Sequence, residues 1–219
     1  MNRTNIHLRS LPMLLTLLVP TAFLSCRKDP SDPPANGDPT PAAAPWSKLA
    51  VGNTWTYDIV QFDSLDTEVP TSWTDVVTVT GDSLVNGTTW SVLQGTRSIH
   101  NPGQTGGYTQ LLRDSADCIV ALGGTCVFRA NSPGVTLYSA MIPPSGTLTW
   151  SMADASASVV VPAGTFATAV VEGEVSFPGL PVRTLRTHRT AGIGLVQDET
   201  KYLFSGGGFR KKLSSYTVQ

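Results

Sequence analysis

From Trp46 to the C-terminus, no run of ten or more residues places apolar side chains at the i, i+3, i+4, i+7 spacing that a helix needs. Glycine, threonine, serine and valine dominate instead, with turn-forming residues about every ten positions, the pattern of sequential strands. The sharpest local signal lies in WTDVVTVTGDSLVNGTTWSVLQGTR, residues 73–97. Asn86-Gly87 suits a type I′ turn, in which both central residues take positive φ. Pairing outward from that turn sets Val85 against Thr88, Ser83 against Trp90, Gly81 against Val92, Val79 against Gln94 and Val77 against Thr96. One face then collects Val77, Val79, Val85, Trp90 and Val92, and Leu84 and Leu93 fall as exceptions on the polar face.

Alternation in NTWTYDIVQF puts Trp55, Tyr57 and Ile59 on one face of another strand. Further strands are expected in YTQLLRD, CIVAL, TCVFRA, VTLYSAM, TLTWSM, ASVVV, TFATAVVEGEV, VRTLRTHRT, IGLVQDE and FRKKLSSYTV. A sheet of ten or more sequential strands must curl or close, because long open edges invite aggregation. The expected fold is all-β: a strongly curved antiparallel sheet or half-open β-barrel, spanning residues 46–219 as one domain.

The first 45 residues obey different rules. Arg3, His7 and Arg9 precede an apolar run from Leu11 to Leu24, fourteen residues long. At roughly 1.5 Å per residue the run is too short for a ~30 Å hydrocarbon core, and it has the layout of a cleaved secretory peptide. FLSC, residues 23–26, resembles the lipobox of bacterial lipoproteins, with Ser25 as the small residue before the cysteine and Phe23 where an aliphatic residue is usual. That resemblance implies acylation of Cys26 with diacylglycerol and an amide-linked fatty acyl chain such as palmitate, and cleavage after residue 25. Such an anchor exceeds the two hydrophobic signals that stable membrane attachment needs. Arg27 stands where an Asp would favour retention at the inner membrane, so an outer-membrane destination is expected. Residues 27–45 hold six prolines and no large apolar side chain, which makes them a disordered, semi-stiff tether. The expected organisation is a signal peptide over 1–25, the lipidated Cys26 with its linker over 26–45, and the β domain over 46–219.

Removal of residues 1–25 takes away Arg3 and Arg9 and leaves thirteen basic against sixteen acidic side chains. A net charge of −3 argues against a nucleic-acid partner. Acids concentrate between Asp29 and Asp117, and bases between Arg183 and Lys212. Neutralisation of strand faces on folding accounts for that asymmetry most simply. Cys118 and Cys126, the pair inside the domain, read as a disulfide in an exported chain. A tight turn at Gly123-Gly124 would set Cys118 opposite Arg129 and misalign the pair, so a longer tip loop is expected.

LAVGNTWTYDI (49–59), VVVPAGTFATAVVEG (159–173) and AGIGLVQDE (191–199) together resemble a broad group of exported, lipid-anchored bacterial proteins of uncharacterised function. The resemblance implies a curved sheet of the general shape of LolA-like lipoprotein carriers, with Gly52 and Gly164 in turns and Trp55, Tyr57, Phe166 and Leu195 in the core. It implies no reaction.

Catalytic patterns are absent from the sequence. No Gly-x-Ser-x-Gly elbow occurs, and the only histidines of the domain are His100, in a glycine-rich loop, and His188, between arginines on an expected strand. Glu172 and Glu174 share one strand face, where like charges are ordinarily solvated. No metal-ligand cluster, cofactor motif or catalytic residue is assigned. The expected function is that of a lipid-anchored envelope protein binding an apolar or lipid-like ligand in a hollow lined by Trp55, Tyr57, Trp90 and Trp150. The alternatives are a surface-displayed structural or protein-interaction module, and a hydrolase whose site leaves no sequence signature.

Overall fold

The structure, a computed structural model, describes residues 45–104, 106–115, 117–153, 156–202 and 206–219. The expected leader, the Cys26 acylation position and the linker up to residue 44 lie outside the described residues.

Thirteen strands and no helix make up the described chain. They are β1 Thr54–Phe62, β2 Glu68–Val85, β3 Thr88–Gly95, β4 Tyr108–Ser115, β5 Cys118–Ala121, β6 Cys126–Arg129 and β7 Thr136–Ile142, followed by β8 Gly146–Met152, β9 Ala157–Val161, β10 Gly164–Ser176, β11 Arg183–Thr190, β12 Gly194–Lys201 and β13 Gly208–Thr217. Every ladder between them is antiparallel, in the order β6-β5-β4-β3-β2-β1-β13-β12-β11-β10-β8-β7. The chain is therefore a meander whose first and last strands pair. Thr54 of β1 faces Thr217 of β13, and Phe62 faces Gly208. β10 is long enough to serve two neighbours along one edge: Gly164–Thr168 pairs with β9, and Val171–Ser176 pairs with β8. The turn between β9 and β10 is Pro162-Ala163, with Gly164 at φ 136°.

β6 and β7 end the sheet and lie near one another, so the sheet nearly closes into a barrel. Beside that slot Arg129 N–H of β6 points at Met152 Sδ of β8, 3.5 Å away, but no backbone ladder joins β6 to β7. The barrel is thus sealed where its first and last strands pair and open between two consecutive strands.

The inner face carries the core: Trp55, Tyr57, Val77, Val79, Leu93, Leu112, Ile119, Phe128, Met152, Val161, Val171, Val196 and Leu213. Trp46, the first large residue after the prolines, packs against Phe128 at a centroid distance of 5.1 Å with the rings tilted by 37°. Burying such side chains supplies roughly 1.5–3 kcal/mol each, which drives the closure.

The β2–β3 hairpin departs from strict alternation in one place. Asn86 and Gly87 take φ of 50° and 75°, and pairing from Val85–Thr88 to Gly81–Val92 follows the expected register. A bulge at Thr80 then shifts the ladder, so Val79 faces Leu93 and Val77 faces Gly95. The extra residue turns Val77 and Val79 to the inside with Leu93, and leaves Val85 and Trp90 on the outside. The single apolar face expected from the turn is therefore two faces, and Leu93 is no exception.

Trp90 anchors a second, smaller cluster with Cys118, Val120, Val85, Leu111 and Cys126. Cys118 and Cys126 form a disulfide there. The expected longer tip loop is not what allows it. The turn is tight, with Gly123 and Gly124 at positive φ, and Cys118 does face Arg129. A bulge instead brings Cys126 opposite Val120, on the same face as Cys118, and the bridge runs diagonally.

The charge asymmetry along the chain resolves through the β1–β13 seam. Arg210 of β13 bonds Glu199 (2.7 Å), Asp66 (2.8 Å) and Glu68 (2.8 Å), and Lys212 bonds Glu68 (3.0 Å). Burial works against the charge on Arg210, but these bonds outweigh it and raise its pKa; Glu68, despite partial burial, is held below the usual carboxylate value. Acids from the first half of the domain thus meet bases from its end.

Candidate functional site

The inner face encloses a cavity of about 460 Å³, lined by side chains from most of the barrel. Trp55 and Tyr57 enter from β1, Leu93 from β3, Tyr108 and Leu112 from β4, and Lys211 from β13. On the opposite side stand Tyr138 and Trp150, with Leu185, Thr187 and Arg189 of β11 at alternate positions. The loop residues Ser98, Ile99 and His100 complete the wall.

At one end a buried polar cluster forms. Asp75, fully shielded from solvent, accepts a hydrogen bond from Lys211 Nζ at 2.7 Å and another from the Tyr108 hydroxyl at 2.9 Å. Its other oxygen accepts the backbone N–H groups of Thr96 (2.9 Å) and Arg97 (3.0 Å). Lys211 Nζ also lies 4.6 Å from the Tyr57 ring centroid, a cation–π distance. Sequence logic explains the placement: Asp75 lies opposite Tyr57 across the β1–β2 ladder and Lys211 opposite Ile59 across β1–β13, so β1 carries the aromatic wall between them. Gly95 pairs with Tyr108, and any side chain there would collide with the tyrosine ring. Burial pushes the Tyr57 phenol well above its ordinary value, and burial with the Asp75 charge does the same to Tyr108. Both phenols stay protonated donors. With its charge neutralised and both oxygens occupied, Asp75 has no lone pair aimed at a substrate proton.

Two donors on the cavity wall are differently placed. Arg189 Nε and Trp150 Nε1 are shielded from solvent and have no hydrogen-bond partner. Tyr138 stacks beside Trp150 at 6.5 Å, and its hydroxyl does not complete a hydrogen bond to the indole. Gly173 makes room for that indole: a Cβ there would lie 2.8 Å from the Trp150 ring. Burial lowers the pKa of the Arg189 guanidinium, while Tyr57, Asp198 and Asp114 work in the opposite direction. Arginine stays charged throughout the physiological range regardless.

Of the aromatic residues singled out in the sequence, Trp55, Tyr57 and Trp150 line the cavity and Trp90 lies in the outer cluster beneath Arg113, 5.1 Å away. Trp55 and Tyr57 are anchored: the indole N–H donates to Ile193 O at 2.8 Å and the phenol to Leu195 O at 3.1 Å. Only Trp150 keeps a free polar tip. His188 faces away from the cavity and its Nδ1 meets Thr168 Oγ1 at 3.1 Å; His100 is exposed at the rim. Glu172 pairs with Arg186 at 2.9 Å on the outer face. Among the described residues, no group of three His, Cys, Asp or Glu side chains could hold a metal ion.

Asp75, Tyr108, Arg189 and Lys211 carry no motif, and the sequence pattern does not single them out. The available signal was alternation: Leu185, Thr187 and Arg189 share one face, and Lys211 lies two residues before the core residue Leu213.

No family model and no curated protein matches the chain. Among solved structures, a Bacteroides fragilis protein assigned to the exported class, with a YmcC-like fold, superposes on 80% of this chain and 99% of its own. The TM-score is 0.50 and the identity 12%. A Parabacteroides distasonis protein assigned as a lipoprotein covers the same shares at a TM-score of 0.42 and 13% identity. At 12% identity the first likeness is one of fold. The fold is similar to the YmcC-like one.

Proposed function

We propose that the protein is a lipid-anchored component of the bacterial cell envelope whose nearly closed sheet binds a small apolar or amphipathic ligand. On this reading residues 1–25 are the export signal, acylated Cys26 anchors the chain in the outer membrane, residues 26–45 are the tether and residues 46–219 the binding domain. The exported class of the Bacteroides fragilis protein with the similar fold favours the envelope location.

The observation that carries the binding reading is the cavity itself. Its volume of about 460 Å³ falls within the ~300–1,000 Å³ of small-molecule sites. Its lining combines an aromatic and aliphatic majority with a substantial set of polar and charged side chains, a make-up suited to an amphipathic ligand.

The test releases the domain from membranes through a protease site inserted between Pro41 and Ala42, followed by native mass spectrometry before and after organic extraction. A stoichiometric adduct, lost on extraction, is the expected result. A bare polypeptide mass that stays unchanged after incubation with envelope lipids would sink the reading and turn attention to protein partners.

A further inference from the structure

The Nε atoms of Arg97, Arg113, Arg183 and Arg189 are all shielded and unpartnered, and of these four arginines Arg189 is the one in the cavity wall. Lys211 is neutralised by Asp75. Arg189 enters the same cavity from β11 with its Nε shielded and unpartnered, its Cζ 6.0 Å from the Phe128 ring. Two carboxylates lie within electrostatic reach, and both are engaged elsewhere: Asp198 accepts a hydrogen bond from Thr187 Oγ1 at 2.7 Å, and Asp114 accepts one from Ser47 Oγ at 2.5 Å. Among the described residues, neither forms an ion pair with Arg189. A shielded donor with no acceptor is costly, and native structures leave few of them without a reason. The cavity's second orphan, Trp150 Nε1, is a donor as well. The charged one of the two, Arg189, has the stronger need for an acceptor.

We propose that the ligand is a single-chain amphiphile whose anionic end group, a carboxylate or a phosphate monoester, sits on the Arg189 guanidinium. Its apolar chain lies against Trp150, Tyr138 and Leu185. The planar fork of an arginine matches both anions through paired hydrogen bonds. Lys211 does not compete for the anion, because Asp75 already holds it at 2.7 Å. The end group rests on the ligand-binding reading given above and adds to it the polarity of the occupant.

The test uses the full chain in its membranes and three photoactivatable diazirine probes of identical chain length: hexadecanoic acid, hexadecyl phosphate and hexadecanol. Labelled peptides are mapped by mass spectrometry. One or both anionic probes should label the β8 and β11 peptides at least about tenfold more than the alcohol, since a hydrogen bond to a charged group is worth that ratio or more. Which anion labels better names the end group. Arg189→Gln should bring anionic labelling down to the level of the alcohol, and Arg189→Lys should retain part of it. Equal labelling of those peptides by all three probes on the unaltered chain overturns the head-group assignment while leaving cavity binding intact. Labelling of those peptides by none of the probes overturns both, and neither outcome depends on how a variant folds.

Discussion

Asp75 and Lys211 illustrate how much a single residue can control inside this barrel. Each is almost wholly shielded, and together with Tyr108 they form one hydrogen-bonded unit across β2, β4 and β13. Breaking a buried pair leaves an uncompensated charge, so Lys211→Met should destabilise the domain by about 3–5 kcal/mol. Asp75→Asn on top of it should recover part of that loss, because the amide oxygen can still accept the Thr96 and Arg97 N–H groups. Urea unfolding of both single variants and the double variant tests this, and simply additive losses would refute the coupling. His188 sets a second residue-scale expectation. Burial, helped by Arg186 and Arg210 and opposed by Glu199 and Asp198, holds its pKa below the ordinary 6.5. Below that pH the unfolded chain takes up a proton that the folded chain refuses, so this contribution is complete above about pH 6.5 and declines as the solution is acidified. Melting temperatures between pH 7.5 and 5 should fall less steeply in His188→Gln than in the unaltered chain.

Individual elements were legible to the degree that they obey period two. Each strand expected from alternation is present, down to the Asn86-Gly87 turn, because a strand's residue pattern and its turn residues are local properties. What alternation could not supply were the bulges. One extra residue at Thr80 reverses which face of β2 looks inward, and another near Val127 lets a tight hairpin carry a diagonal disulfide. A bulge is favoured by what lies on either side of the sheet, and that is decided by other strands. The Cys118–Cys126 bridge closes a short loop in the outer cluster, so Cys118→Ser with Cys126→Ser should lower stability by roughly 2–3 kcal/mol. An unfolding midpoint that does not move in that double variant would show that the neighbouring packing around Trp90 already holds the hairpin.

At the scale of the whole molecule, closure is uneven. β1 and β13 are paired on both sides, whereas β6 and β7 each have one bonded neighbour. Amide exchange should therefore be slowest in β1, β2 and β13 and fastest among the strands in β7, with the slot between β6 and β7 opening at a lower free energy than the seam. Mass-spectrometric hydrogen exchange reads this directly. Protection in β7 equal to that in β1 would mean that the slot is sealed in solution.

An all-β class, the strand boundaries, the pairing of Cys118 with Cys126 and the aromatic faces of β1 and β8 follow from residues acting on their near neighbours, which is why one chain read alone could determine them. The seam of β1 with β13, the turning of Trp90 away from the hollow, and the meeting of Asp75, Tyr108 and Lys211 join distant positions, Asp75 and Lys211 being 136 residues apart. So does the siting of Arg189 of β11 in the wall, beside Phe128 of β6. No local pattern encodes those meetings, because an inward-facing lysine or arginine has the same period-two position as an outward-facing one until the strand's face is fixed. Only closure of the sheet fixes it, and with it decides which charges are neutralised and which face the hollow.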